Sequence, residues 1–204
     1  MTKRLLLIRH GATDMTGRLC GHSDPPLNFL GRAQIQALPH SLPRHGTEHL
    51  YSSDLLRATQ TAEALAKAWG VPIHTDAGLR EMSFGAWEGL SWPQVQAAAR
   101  TDTRKAIALS PEMYPPDAER FADFRARVSR TLRELVTTAD VACLAAVTHT
   151  GVIRTALTDL AGIASDSELL RAIGYCSAFE LSTDGASWSF IQRFAAPHIN
   201  FVEV

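Results

Sequence analysis

Arg4-Leu5-Leu6-Leu7-Ile8-Arg9-His10-Gly11 is the stretch on which the fold turns. Its apolar run is continuous rather than alternating, the pattern of a strand covered on both faces of a sheet, and Gly11 ends it. A second run of the same kind, over 142–147, leads into Thr148-His149-Thr150-Gly151. Each strand therefore delivers a histidine at its carboxyl end, which is where ligands bind in open α/β sheets. His10 and His149 are expected to meet in one crevice although about 140 positions separate them.

The rest of the chain supplies alternating helices and strands. Asn28 is a suitable N-cap for a helix in which Leu30, Ala33, Ala37 and Leu38 keep helical spacing, with an end or kink expected at Pro39. A strand over 49–52 is followed by a helix capped by Ser53 or Asp54, with apolar positions Leu55, Ala58, Ala62 and Leu65 and a stop at Gly70. A short strand is expected over 73–75. The stretch 82–116 contains helical pieces near 92–100 and 105–109, broken by Pro93, Pro111, Pro115 and Pro116, and reads as an inserted helical lid. Phe121, Phe124, Val128, Leu132 and Leu135 then mark a long amphipathic helix. A helix over 152–160 and a hairpin turning at Thr183-Asp184-Gly185 complete the pattern. The expected architecture is an α/β class, three-layer α/β/α sandwich with a mostly parallel central sheet, formed by residues 1–204 as a single domain.

Composition narrows the function. With 204 residues, 46% of them hydrophobic, the chain suits one well-buried core. A net charge of −1 gives no general attraction to nucleic acid or to acidic membranes. Cys20, Cys143 and Cys176 lack CxxC spacing and read as reduced thiols of a cytoplasmic protein. The four-residue apolar run after the amino terminus is too short for a signal or membrane segment. Neither HExxH, GxxxxGK[ST] nor GxSxG occurs, so no metal site, nucleotide-cradling loop or serine hydrolase elbow is expected.

Arg57, in the first turn of its helix, and Glu81, after the 73–75 strand, are placed to reach the same sheet edge as Arg9, His10 and His149. Two arginines, two histidines and one carboxylate suit phosphoryl transfer. A phosphomonoester carries nearly two negative charges on three oxygens, which guanidinium forks match in geometry. The helix start at Thr150-Gly151 offers backbone N–H groups as well. Nearby positive charge favours a neutral histidine able to attack phosphorus, and Glu81 is placed to protonate the leaving oxygen. Taken singly, these residues have plainer roles: a packed strand-end histidine, a solvated helix arginine, half of an ion pair. Asp14 and Glu88 rival Glu81 as the acid, and Trp87 and Trp92 read as the small core of the lid, with cover for an apolar part of the substrate as the alternative. Arg44-His45-Gly46 repeats the tripeptide in a surface loop with no strand before it.

The motif Leu7-Ile8-Arg9-His10-Gly11-Ala12-Thr13 resembles the signature of the histidine phosphatase superfamily, in its phosphoglycerate mutase-like branch. The resemblance continues through Asp24–Gly31, Tyr51–Ala62, Leu79–Gly89 and Thr148–Arg154, in family order. It implies that His10 becomes phosphohistidine, that Arg9, Arg57 and His149 hold the phosphoryl oxygens, and that Glu81 is the proton donor. Around the substrate, Thr13 and Gly21 are expected as pocket lining and Thr150 as a contact, while His22 is open between a substrate contact and loop polarity. The resemblance also implies no metal and no cofactor; the partner would be a small-molecule phosphomonoester, with the oligomeric state open between monomer and homodimer. Cys20-Gly21-His22 and Pro115–Phe121 look most like α-ribazole phosphatases of cobalamin biosynthesis. Ala12 stands where Glu or Gln is usual, and Met15-Thr16 where a Trp-Asn pair is usual. The absence of the longer mutase insertion favours water as the acceptor. The rival readings are a phosphoglycerate mutase and a non-catalytic binder of phosphorylated ligands.

Overall fold

The computed structural model describes residues 2–42, 44, 46–99 and 115–199. Its sheet has the order β3-β2-β4-β1-β5-β6, built from β1 (Lys3–Arg9), β2 (His49–Ser52), β3 (Ile73–Thr75), β4 (Cys143–Thr148), β5 (Ala178–Thr183) and β6 (Trp188–Phe194). The first four are mutually parallel, and the β5–β6 hairpin adds antiparallel to β1.

The continuous apolar runs are explained by two covered faces. Leu5 and Leu7 of β1, with Leu144 and Ala146 of β4, pack into one cluster with α4 (Phe121–Thr138) and α5 (Thr150–Thr155). Leu6 and Ile8, with Ala145 and Val147, pack on the other face against α1 (Phe29–Ser41) and α2 (Leu56–Trp69). The result is a helix, sheet, helix sandwich, as the alternation of elements implies. The register sets the site: Ile8 pairs with Val147 and Arg9 with Thr148, so His10 and His149 are the next residues on adjacent central strands. The His10 N–H donates to the Thr148 carbonyl at 3.0 Å.

Several boundaries differ from expectation for identifiable reasons. Pro39 neither ends nor visibly stops α1, which runs on to Ser41. Its missing N–H falls in the last turn, where little of the helix remains to lose. The N-cap of α2 is Leu55, with no side-chain cap bond. Ser53 bonds His149 instead, and Asp54 pairs with Arg80 at 2.5 Å. The helix expected over 152–160 begins at Thr150 and passes into a wider π turn at Ala156–Leu160. The first helical piece of the expected lid is α3 (Trp92–Ala99), preceded by a tight turn at Gly85–Trp87. The second piece, 105–109, and His45 lie outside the described residues. A short helix, α6 (Glu168–Arg171), was not signalled by periodicity.

The loop after β1 is fixed by both flanking helices. Gly11 N–H donates to Thr61 Oγ1 at 3.1 Å, and Ala12 N–H to Gln34 Oε1 at 2.9 Å. Gly31 allows α1 to approach, because a Cβ there would lie 2.1 Å from the Ala12 carbonyl oxygen. Asn28 caps α1 through Gly31 N–H at 2.9 Å and donates its own N–H to Ala12 O.

Candidate active site

His10 is 6% exposed and His149 1%, with ring centroids 5.0 Å apart. His10 Nδ1 lies 2.7 Å from the Gly11 carbonyl oxygen, which can only accept. Nδ1 therefore carries the proton, and Nε2 keeps its lone pair. Burial, followed by the charges of Arg57 and Arg9, pushes the His10 pKa well below the usual histidine value. His149 is pushed the same way by burial and then by His10 and the two arginines. Its Nε2 is 2.9 Å from Ser53 Oγ.

Arg9 donates from Nη1 to the Ile173 carbonyl at 2.8 Å, and its guanidinium stacks 3.9 Å from the centroid of Tyr175. Burial lowers its pKa, opposed by Tyr175 and Glu81. Arg57, 1% exposed, directs Nη1 to Ser23 O at 2.7 Å and Nη2 to Gly21 O at 2.8 Å and Cys20 O at 3.3 Å. The expectation that its fork faces phosphate thus needs correction: both Nη atoms hold the 20–23 loop, which leaves Nε. Three buried nitrogens around His10 have no hydrogen-bond partner among the described residues: Arg9 Nε, Arg57 Nε and His149 Nδ1. Buried polar atoms are ordinarily paired, so these three nitrogens have hydrogen-bonding capacity that an anion could use.

Glu81 is anchored at both oxygens, accepting from Met82 N–H at 2.9 Å and Gly151 N–H at 2.9 Å. It thereby caps α5, the helix that follows His149, where a carboxylate also suits the helix dipole. The Gly151 N–H, expected to face phosphate, is engaged by Glu81. A Cβ on Gly151 would lie 2.1 Å from Glu81 Oε1, so glycine is what lets the carboxylate come this close.

Glu81 and Thr150 line a cavity of about 780 Å³, together with Arg9, His10 and Thr13. Gly21, expected as pocket lining, and His22, open between substrate contact and loop polarity, do not line it. Gly21 is buried, and a Cβ added there would lie 2.0 Å from the Met82 carbonyl oxygen. His22 points Nε2 at the Glu81 carbonyl at 3.1 Å. Both backbones donate to Glu88, which accepts from Gly21, His22, Ser23 and Phe84. Burial raises the Glu88 pKa, but these hydrogen bonds outweigh it and the net shift is downward. Glu88 is therefore a carboxylate joining two loops, not a free rival to Glu81. Asp14 is exposed.

Four residues around the site have roles that the sequence did not assign to them. Ser53 was read as a helix cap. Tyr175 precedes β5 and reaches Arg9 only because the hairpin docks beside β1. Arg127 donates to the carbonyls of Gly78, Arg80 and Glu81 and pairs with Glu119 at 2.7 Å, fixing the segment that carries Glu81. The Glu88 clamp is the fourth. Cys176, with φ 56°, donates its N–H to Arg9 O at 3.1 Å, and burial pushes its thiol up to about 12, so it is an inert neighbour.

No group of three or more His, Cys, Asp or Glu suited to a metal ion occurs among the described residues. None of the helices among them is long and apolar enough to cross a membrane.

Residues 5–195 match the family model described as histidine phosphatase superfamily (branch 1). A bifunctional protein of Mycobacterium tuberculosis is 34% identical over 191 residues, 90% of this chain and 52% of its own length. The chain thus spans about half the length of the first curated relatives it matches. The adenosylcobalamin/alpha-ribazole phosphatase of Salmonella typhimurium is 34% identical over 160 residues, 74% of this chain and 75% of that one. Among solved structures, a mycobacterial glucosyl-3-phosphoglycerate phosphatase superposes with TM-score 0.80 at 29% identity, covering 96% of this chain and 100% of that chain.

Proposed function

This chain belongs to the histidine phosphatase superfamily, branch 1, and on that premise we propose that it hydrolyses a small phosphomonoester through a phosphohistidine on His10, without a metal ion. The observation that carries the reading is the set of unpartnered buried nitrogens of Arg9, Arg57 and His149 around a neutral His10. Three phosphoryl oxygens would satisfy them.

The His10 Nε2 lone pair forms the P–N bond as the bond from phosphorus to the leaving oxygen breaks. Glu81, held by two backbone N–H groups at the cavity wall, gives that oxygen its proton. In the second half, a water oxygen bonds phosphorus, the P–N bond breaks and returns its electron pair to Nε2, and Glu81 takes the water proton. Arg9, Arg57 and His149 supply fixed positive or hydrogen-bonding atoms where charge gathers, so rate comes from placement and electrostatics. Glu81 and His149 are linked through α5, which holds acid and phosphate contact at one spacing.

For the substrate we propose α-ribazole 5′-phosphate, on the resemblance of the 20–22 and 115–121 motifs and the Salmonella relative. The test is phosphate release from a panel including α-ribazole 5′-phosphate and 3-phosphoglycerate, in excess chelator, by wild type and His10→Ala. Release that falls by several orders of magnitude in the variant is expected. Release insensitive to His10→Ala removes the phosphohistidine, and isomerisation of 3-phosphoglycerate in place of hydrolysis makes the protein a mutase.

A further inference from the structure

Tyr175, in the turn before β5, is half-buried, lines the cavity, and meets two parts of the centre at once. The Arg9 guanidinium carbon lies 3.9 Å from its ring centroid, and the His10 ring lies 5.6 Å from it, centroid to centroid. Its hydroxyl is 3.2 Å from Thr16 Oγ1, in the loop that follows His10. We propose that Tyr175 is a positioning residue for phosphate binding: the face of its ring fixes the plane of Arg9, and its hydroxyl ties down the 13–16 loop. The inference rests on the phosphomonoesterase reading above, in which Arg9 holds a phosphoryl oxygen, and adds the residue that sets how Arg9 is held.

Arg9 Nη1 donates to the Ile173 carbonyl, and one hydrogen bond leaves a guanidinium free to turn about the N–H···O direction. A ring laid against the flat face removes that freedom. Nε, buried without a hydrogen-bond partner among the described residues, then keeps one direction. The ring is itself held through the backbone. The Cys176 N–H donates to both Arg9 O at 3.1 Å and His10 O at 3.3 Å, and the Arg9 N–H donates to Ser177 O at 2.9 Å. Ile173 and Tyr175, the two groups that hold the guanidinium, thus sit on a segment hydrogen-bonded to the strand end that carries Arg9 itself.

The direction of the second contact follows from a count of protons. Thr16 Oγ1 donates to the Thr13 carbonyl at 3.1 Å, which uses its one hydroxyl proton, so the Tyr175 O–H is the donor to Thr16 Oγ1. Tyr175, Thr16 and Thr13 therefore join the turn before β5 to a loop whose Thr13 and Met15 line the cavity. This is the loop in which Met15-Thr16 stand in place of the usual Trp-Asn pair, and the tether gives Thr16 a use there.

Calorimetry with inorganic phosphate, and kcat/KM for the best ester of the panel, test the two contacts separately. Tyr175→Leu, which keeps apolar bulk but has no ring face, is expected to weaken phosphate binding and lower kcat/KM by about tenfold or more, the scale of a desolvated cation–ring contact. Tyr175→Phe keeps the ring and should lose only about threefold, as should Thr16→Val, since each removes one hydrogen bond. The double variant Tyr175→Phe/Thr16→Val should lose no more than either alone. In an Arg9→Lys background, where the planar fork is gone, Tyr175→Leu should have little further effect. Phosphate binding by Tyr175→Leu equal to wild type overturns the proposal, as does a loss of the same size in the Arg9→Lys background or one that Tyr175→Phe shares in full. Losses in Tyr175→Phe and Thr16→Val that add in the double variant overturn the tether. If no ester is turned over, the phosphatase reading fails by itself, and the phosphate affinities of the same variants still decide the role of Tyr175.

Discussion

Neutrality of His10 at working pH follows from its surroundings: a buried ring, two arginines close by, and a carbonyl that takes the Nδ1 proton. Because these act to lower its pKa below the usual value of about 6.5, the nucleophile should stay competent through neutrality and be lost only in acid. The acid limb of kcat/KM for a substrate whose own ionisation is flat in that range is expected below pH ~6.5. A limb centred above that value contradicts the assignment. Ser53 has a related role one residue away, since its Oγ is the partner of His149 Nε2. Ser53→Ala should leave that buried nitrogen unsatisfied and lower stability by about 1–3 kcal/mol in urea unfolding, with a drop in kcat as His149 loses its orientation. The placement of Arg9, His10, Arg57, Glu81 and His149 at one sheet edge was legible, because strand-end positions follow from apolar runs and turn residues. Which atoms of Arg57 face the centre was not, because loop carbonyls that compete for its Nη groups come from residues 20–23, far away in sequence. Tyr175 and Arg127 were invisible for the same reason: their contacts exist only after the hairpin and α4 have docked.

At the scale of elements, α5 is started by a side chain from elsewhere. Glu81 caps it through Gly151, and the approach is permitted by the missing Cβ. Gly151→Ala should displace the carboxylate and break the link between Glu81 and the His149 end of the helix. The expected outcome is a fall in kcat/KM of about 10²-fold, the scale of a misplacement near 1 Å, with circular dichroism close to wild type. Unchanged activity would mean that Glu81 is not the proton donor. Helix and strand identities were readable because β1 and β4 are apolar on both faces and α2 and α4 keep a 3.6-residue period. The cap of α5 was not legible for a physical reason: sequence shows local caps, and this one is supplied across about 70 positions by a side chain with no local signature. The same applies to α2, whose nominal capping residues Ser53 and Asp54 are drawn off by His149 and Arg80.

For the whole molecule, two histidines buried as neutral groups tie stability to pH. Both have folded-state pKa values depressed below the unfolded value of about 6.5. Above pH ~6.5 neither state binds the proton and their contribution is flat. As pH falls below that, the unfolded chain takes up protons that the folded one refuses, so stability is lost progressively until the folded pKa values are reached. The slope approaches about 1.4 kcal/mol per pH unit for each histidine. The shifted carboxylates Asp54 and Glu88 act in a lower window, because their depressed pKa values give stability that is lost only as pH falls below about 4. Between pH 6.5 and 5 the histidines should therefore dominate the perturbed groups. Urea unfolding in phosphate-free buffer at steps across that interval is expected to show a steady fall, reduced in His10→Asn, which keeps a polar side chain but cannot take the proton. Phosphate must be absent, since an anion bound between Arg9 and Arg57 stabilises the folded state by mass action and shifts the curve. A wild type whose stability is level from pH 7.5 to 5, or a His10→Asn variant with an undiminished slope, would show that the burial of charge-sensitive imidazoles does not govern the acid sensitivity of this fold.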